Sequence, residues 1–292
     1  MRREAYSTPG ELLLNLEIPV GEIEIETEHG EETTVELEAL SSSDAAEELV
    51  ANARIECVRR GDGHEVIVEV RTRHGISISF SGGPDIRFGT PELRLRITAP
   101  IGASLDVRTK SADLQARGTY GAVEIKTASG DLQLGDAGSA RIKTASGDAH
   151  IDGTRANLEV QSDSGDLHVG TVGGDLRVQL VSGDVHVRDI GGSVNANTVS
   201  GDQNYEAVTN GRVEVKAISG DVTVGVRRGA RVYVDANTVS GSTSSEFELG
   251  DAPAAEPPLS DTGRSVEVFI KTVSGDIRLE RAPAPLELSG QS

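Results

Sequence analysis

The triplet Ser-Gly-Asp recurs along this chain at a nearly fixed interval, and no other feature limits its fold so strongly. With the serine as marker, copies stand at Ser111, Ser129, Ser146, Ser164, Ser182, Ser200, Ser219, Ser240 and Ser274, at steps of 18, 17, 18, 18, 18, 19, 21 and 34 residues. Glycine follows in every copy but the first, which has Ala112, and aspartate comes next in every copy but the eighth, which has Ser242. Around each marker apolar and polar residues alternate, as a strand with one buried face requires. Leu176, Val178 and Leu180 precede Ser182, and Val185 and Val187 follow it, with polar residues between them.

Each unit therefore reads as strand, Ser-Gly corner, strand and a Gly-rich return such as RDIGGS. Two short strands cannot bury an apolar face alone, so the units must stack. The fold class expected is all-β: a single-stranded parallel β-solenoid of about 18 residues per coil, each strand pairing with its equivalents above and below at ~4.8 Å. Nine copies predict a stack roughly 40 Å long. Glycine permits the positive φ of a sharp corner, and Ser or Asp can bond corner backbone.

Residues 1–100 lack the period but are β-rich, with alternating runs at 21–28, 35–40, 64–70, 76–80 and 93–97. A short helix is expected over 44–53, with Asp44 as cap and Glu47 three residues on. This region is assigned as an N-terminal cap continuous with the solenoid, which covers an edge that would otherwise be unpaired. The solenoid then occupies 101–281, with a Pro-rich surface loop at 250–264 before VEVFIKTVSGDIRLE completes the stack. The tail 282–292 is expected to be disordered.

Composition narrows the function. Formal net charge is -19, from 47 acidic against 28 basic residues, and the chain has no Trp, four Phe and four Tyr. A polyanion is repelled and stacking platforms are scarce, so nucleic acid is not an expected partner. Cys57 is the single cysteine, so no internal disulfide forms. The early LLLNL run is too short and too soon interrupted for a signal segment, and no stretch reaches the ~18 apolar residues of a membrane helix. A soluble cytoplasmic protein, monomeric or a small oligomer, is the expectation.

The segments LRITAPIGASLDVRTKSAD, VEIKTASGDLQL, ARIKTASGDAHI, VNANTVSGD and VFIKTVSGDIRL resemble the putative-adhesin family of bacterial β-strand-repeat proteins, a domain of unknown function, over roughly residues 90–281. The resemblance implies a solenoidal β fold, no established catalytic residues, and members linked to the cell envelope or its stress responses.

In a solenoid, equivalent positions form columns. The carboxylates of Asp113, Asp131, Asp148, Asp166, Asp184, Asp202, Asp221 and Asp276 make one. Neighbours ~5 Å apart in water repel by about 0.8 kcal/mol, which acceptance of corner N–H groups offsets; the alternative is a divalent cation between coils. His150, His168 and His186 each lie two residues after an aspartate, so with Asp148, Asp166 and Asp184 they are the candidate metal ligands, for zinc or copper. The structural alternative is a solvated strand face, because the same column continues as Gln115, Gln133, Asn204 and Thr223. A third column runs Arg108, Lys126, Lys143, Gln161, Gln179, Asn197, Lys216, Asn237 and Lys271, where the amides can bond along the stack. Glu22, Glu24, Glu26 and Glu28 form an acidic row, either solubilising or a face for a basic partner.

No cofactor is expected, and no GxSxG, P-loop, HExxH or cysteine cluster is present. A non-catalytic scaffold that binds a protein or envelope component is the leading reading. A self-assembling filament is the alternative. A carbohydrate-active enzyme stands third, because paired carboxylates are automatic in any such stack.

Overall fold

A computed structural model describes residues 1–41, 43–71, 91–247 and 264–282. The expected strand at 76–80, the loop at 250–264 except Arg264, and the tail beyond Ala282 lie outside the described residues. The chain divides into two compact units, Met1–Ile151 and Asp152–Ser292. Both are β, built mainly from parallel ladders, with one helix among the described residues.

The first unit runs β1 (Arg2–Ser7), β2 (Leu12–Glu28), β3 (Glu32–Ala39), α1 (Asp44–Asn52), β4 (Arg54–Arg60), β5 (Gly63–Glu69), β6 (Leu93–Pro100), β7 (Ser104–Lys126) and β8 (Leu132–Thr144). The helix starts one residue away from the sequence expectation: Ser43, not Asp44, is its N-cap, accepting from the Ala46 N–H. Serine and aspartate cap equally well, so backbone geometry decides between neighbours.

Parallel stacking begins at Leu12, well before the period becomes visible. β2 pairs in parallel with β7 from Leu13 to Glu26, placing Val20, Gly21 and Glu22 against Ser111, Ala112 and Asp113. Val20-Gly21-Glu22 is thus an altered form of the corner triplet. Gly21 keeps the repeat's left-handed backbone, φ +133°, and a methyl group there would meet the Leu93 carbonyl oxygen at 1.8 Å. The LLLNL run is the first half of β2, with Leu12, Leu14 and Leu16 buried.

On the far side of β2, β5 and β6 still pair in parallel with its two halves, and beyond them the strands turn antiparallel: β4 covers β5, and β3 then β1 cover β6. Their outermost members carry ion pairs, Arg2–Glu4 and Arg3–Glu36 on β1 and Arg54–Glu56 on β4. Charged outer strands of this kind discourage further pairing. Tyr120 is fully buried, its hydroxyl 3.0 Å from the Ile25 carbonyl and 2.9 Å from that of Arg117. Its hydroxyl proton is held above the usual tyrosine range, chiefly by burial.

β9 (Ala149–Thr154) bridges the sequence boundary between the units. The second unit contains β10 (Leu158–Ser164), β11 (Leu167–Val172), β12 (Leu176–Ser182), β13 (Val185–Ile190), β14 (Val194–Ser200), β15 (Gln203–Val208), β16 (Gly211–Ser219) and β17 (Val222–Val226). It closes with β18 (Arg231–Ser240), β19 (Thr243–Ser245), β20 (Ser265–Ser274) and β21 (Ile277–Arg281). Coils stack in register: Val160 on Val178, Val178 on Ala196, Ala196 on Val215. Leu167, Val185 and Val222 point inward and are at most 1% exposed.

Chain order and stacking order part company at the end. β20 pairs with β16 on one side and β18 on the other, and β21 likewise lies between β17 and β19. VEVFIKTVSGDIRLE therefore does not complete the stack. It slots beneath the coil that precedes it in sequence, which becomes the outermost. Composition explains the exchange: Val266, Val268, Ile270, Ile277 and Leu279 are fully buried, whereas the coil above offers Val232, Val234, Ala236 and a Ser/Thr-rich second strand.

Candidate functional site

The Ser-Gly-Asp corners form a ladder of their own. Asp113 Oδ1 accepts the Asp131 N–H at 3.0 Å, and Asp131 Oδ1 accepts that of Asp148 at 3.0 Å. In the second unit Asp166, Asp184, Asp202 and Asp221 accept from Asp184, Asp202, Asp221 and Asp276, each at 2.8 Å. Each carboxylate thus fills a backbone donor of the coil above it. This compensates the repulsion along the column, because charge-assisted hydrogen bonds are stronger than neutral ones.

The column ends where it must. Asp276 accepts from both the backbone N–H and the hydroxyl of Ser242, at 2.8 and 2.9 Å. Nothing described stacks above Ser242, so an aspartate there would have no donor to accept from. The eighth copy's missing aspartate is the signature of the outermost coil.

These bonds hold the Asp276 carboxyl below the usual range, the Ser242 N–H first and its hydroxyl second. Glu69, Glu124 and Glu214 are lowered likewise, chiefly by hydrogen bonds from Arg71, Lys126 and Lys216. A carboxylate depressed by folding contributes stability that is present above its unfolded pKa of about 4 and lost as pH falls through the folded value. Resistance to urea is therefore expected to hold from neutrality to about pH 5 and to drop below about pH 4. Ser242→Ala should raise the Asp276 pKa, read from its carboxyl carbon shift by NMR. An unchanged midpoint would show that Ser242 does not stabilise the anion.

Two further observations bear on the triplet. A hydroxyl two residues before the marker donates to the marker's carbonyl: Thr127 to Ser129, Thr144 to Ser146, Ser162 to Ser164 and Thr272 to Ser274, at 2.7 to 3.3 Å. The corner glycines also leave no room for a side chain. A methyl group at Gly183, Gly201, Gly220 or Gly275 would lie 2.1 Å from the carbonyl oxygen of the corner glycine beneath.

Of the candidate metal ligands, His150 and Asp148 belong to the first unit and the others to the second. His168 and His186 stack with ring centroids 6.0 Å apart, and His186 Nε2 lies 3.0 Å from Glu206 Oε1. Asp166 and Asp184 each commit one oxygen to the backbone above. Among the described residues no group of three or more His, Cys, Asp or Glu side chains is arranged to hold a metal ion.

The lysine and amide column pairs along its own strands. Arg108 bonds Asp106, Lys126 bonds Glu124, Gln161 bonds Glu159, Asn197 bonds Asn195, Lys216 bonds Glu214 and Asn237 bonds Asp235. Gln161 and Asn197 were expected to bond along the stack; the i, i+2 partner on the same face is nearer and wins. The amide ladder that does form is Gln115 to Gln133, at 2.9 Å. The acidic row is partly neutralised from within, since Arg94 and Arg96 on β6 reach Glu22 and Glu24 at 2.7 and 2.8 Å and also meet Glu38. Glu22 and Glu24 are therefore poor candidates for gripping a basic partner.

The first unit has an open cleft of about 750 Å³ between Gly10–Leu13 and Pro100–Ser104, with Arg60 and His64 at its edge. Among the described residues no Tyr, Phe or Trp, the side chains that sugar grooves favour, lines it.

One surface feature escaped the sequence reading. Val181, Val199, Ile218, Val273 and Val239 each precede a marker serine, and are 49, 43, 54, 51 and 82% exposed. Their serines pair in the order Ser182, Ser200, Ser219, Ser274, Ser240. The five side chains therefore form one apolar column, about 19 Å long at the usual strand spacing. The described part of this unit has only one other exposed large hydrophobic residue, Tyr233.

No curated protein matches the sequence. Among solved structures the chain is similar to a putative cell adhesion protein from Clostridium sporogenes ATCC 15579, at 14% identity over 96% of this chain and 99% of that one, TM-score 0.24. It is also similar to putative adhesins from Bacteroides fragilis NCTC 9343, at 12% identity over 95% and 96% of the two chains, TM-score 0.43, and from Parabacteroides distasonis ATCC 8503, at 13% over 95% and 96%, TM-score 0.37. The profile described as Toastrack DUF4097 matches residues 14–280. A profile that takes in the first coil at β2, every Ser-Gly-Asp corner and the inserted last coil accounts for most of the chain, which belongs to the Toastrack DUF4097 family.

Proposed function

We propose that the chain is a non-catalytic scaffold that binds a protein or cell-envelope component along the outer corners of its stacked coils. The apolar column Val181, Val199, Ile218, Val273 and Val239 carries this reading. Branched aliphatic side chains kept in water at the same place in five coils gain nothing for the fold, and contiguous exposed apolar surface marks an interaction site. The polar columns on either side are largely engaged with their own neighbours, as a rigid frame requires. The net charge of -19 directs the choice of partner away from nucleic acid.

The test compares the wild-type chain with V181S/V199S/I218S as bait in an extract of the native cell. These side chains are exposed, so the variant should melt within a degree or two of the wild type. A specific partner is expected to be retained by the wild type and reduced at least ten-fold on the variant. Equal retention by both, or turnover of a polysaccharide by the purified chain, would overturn the reading.

A further inference from the structure

Among the described residues β18 pairs only with β20 and β19 only with β21, so their other edge has no described strand against it. The inward row is cut open with it: Val213, Val215, Val266 and Val268 are fully buried, whereas Val232, Val234 and Ala236 above them are half-exposed. Edge strands are normally blunted by proline, lysine, a bulge or shortness. β18 is ten residues long, RVYVDANTVS, with neither proline nor lysine.

Corner chemistry decides how a second layer could sit there. A further coil stacked in parallel needs a carboxylate beneath its corner N–H, as Asp184 supplies to Asp202. The outermost coil has Ser242 instead, and its hydroxyl is turned down onto Asp276. Head-to-tail growth therefore finds no acceptor at this end. Antiparallel pairing makes no such demand.

The strand is also its own complement. Arg231, Tyr233 and Asp235 alternate along one face, with Tyr233 60% exposed. In an antiparallel pair centred on Tyr233, residues opposite one another sum to the same register. Arg231 then faces Asp235 of the second copy, Asp235 faces its Arg231, and the two Tyr233 rings meet.

We propose that two copies of this chain join through β18 in a closed two-fold dimer, edge to edge and antiparallel. A two-fold contact consumes both open edges, so assembly stops at two and does not extend into a fibre. One coil end buries less than the ~1,200 Å² at which stable interfaces begin, so a dissociation constant of about 10–100 µM is expected. This goes beyond the scaffold reading and uses a different surface; V181S/V199S/I218S should dimerise like the wild type.

Sedimentation equilibrium of the full 30.6 kDa chain tests it. Between roughly 5 and 500 µM, a range chosen to bracket so weak an interface, the average mass should climb towards twice that of the chain and level off. R231D and D235R should each raise the dissociation constant at least ten-fold, since each sets like charges opposite one another. The charge-swapped R231D/D235R should recover most of the wild-type affinity, a rescue that misfolding could not produce. A single-chain mass throughout would mean that the edge is covered by the chain itself, and would overturn the proposal. So would a mass that grows past two, or dimers indifferent to the single charge reversals.

Discussion

Gly183→Ala is expected to cost about 4 kcal/mol or more, near the top of the range for single substitutions. Two penalties coincide at this position. Its backbone is left-handed, φ +131°, and a methyl group would stand 2.1 Å from the Gly165 carbonyl oxygen. The obstacle is main chain, so relief requires separating two coils, which also stretches the Asp166 to Asp184 and Asp184 to Asp202 bonds. Stacked repeats hold together through nearest-neighbour terms, so the damage should be local. Hydrogen exchange should show lost protection at β12 to β15 while β2 and β7 keep theirs. Gly61→Ala is the control: its φ is +61° but nothing lies within 4 Å of the added carbon, so only the intrinsic cost of about 1–2 kcal/mol remains. Comparable losses at the two sites would show that close stacking of corners is not what selects glycine.

Tyr205→Ala is expected to cost about 3–5 kcal/mol, the usual penalty for emptying an aromatic site in a core. Tyr205 is fully buried, and desolvation holds its phenol well above the ordinary tyrosine range. Its hydroxyl donates to Gln203 Oε1 at 2.9 Å, and Gln203 Nε2 donates to Thr198 Oγ1 at 2.8 Å. Gln203 occupies an inward position where the adjoining coils have Val185 and Val222. The pair is thus a closed polar network inside an aliphatic core. Tyr205→Phe leaves the glutamine oxygen unsatisfied and should cost about 1–3 kcal/mol, as should Gln203→Val, which strands the phenol. The double change removes both ends and should cost clearly less than the sum of the two. Additive losses in urea denaturation would show that the hydrogen bond is not the source of the coupling.

The aspartate column shows how far reading by column reaches. Spacing alone offered acceptance of corner N–H groups, beside a divalent cation, as the answer to the carboxylates' mutual repulsion, and six of those bonds are present within the two units. The glycine was legible only in part. Positive φ is a local demand that the triplet announces, but the 2.1 Å approach of one corner to the next belongs to the stack. The apolar column was legible and went unread: VSGD, VSGD, ISGD, VSGS and VSGD stand in the sequence, one branched residue before each serine. Alternation assigns that position the outward face, in phase with Arg177 and Gln179, and the serine after it, also exposed, is where the strand bends into the corner.

Two other features could not have been found by counting. The first coil carries Val20-Gly21-Glu22 in place of the triplet, so only its pairing with Ser111-Ala112-Asp113 reveals it. The acidic row of β2 has arginine partners 72 residues away on β6. The pairing of His168 with His186, by contrast, follows from the repeat count.

By itself the sequence determined the class of fold, the length of a coil, which residues line the core of the repeats and where each Ser-Gly-Asp corner lies, because alternation and left-handed glycine are properties of a few consecutive residues. Only the tertiary structure decided the order in which coils stack. The coil at 265–281 lies beneath the one at 231–247 because its valines, isoleucines and leucine gain more from burial than the serines and threonines of its neighbour. That comparison is made between distant segments competing for one place, and no local pattern records its outcome.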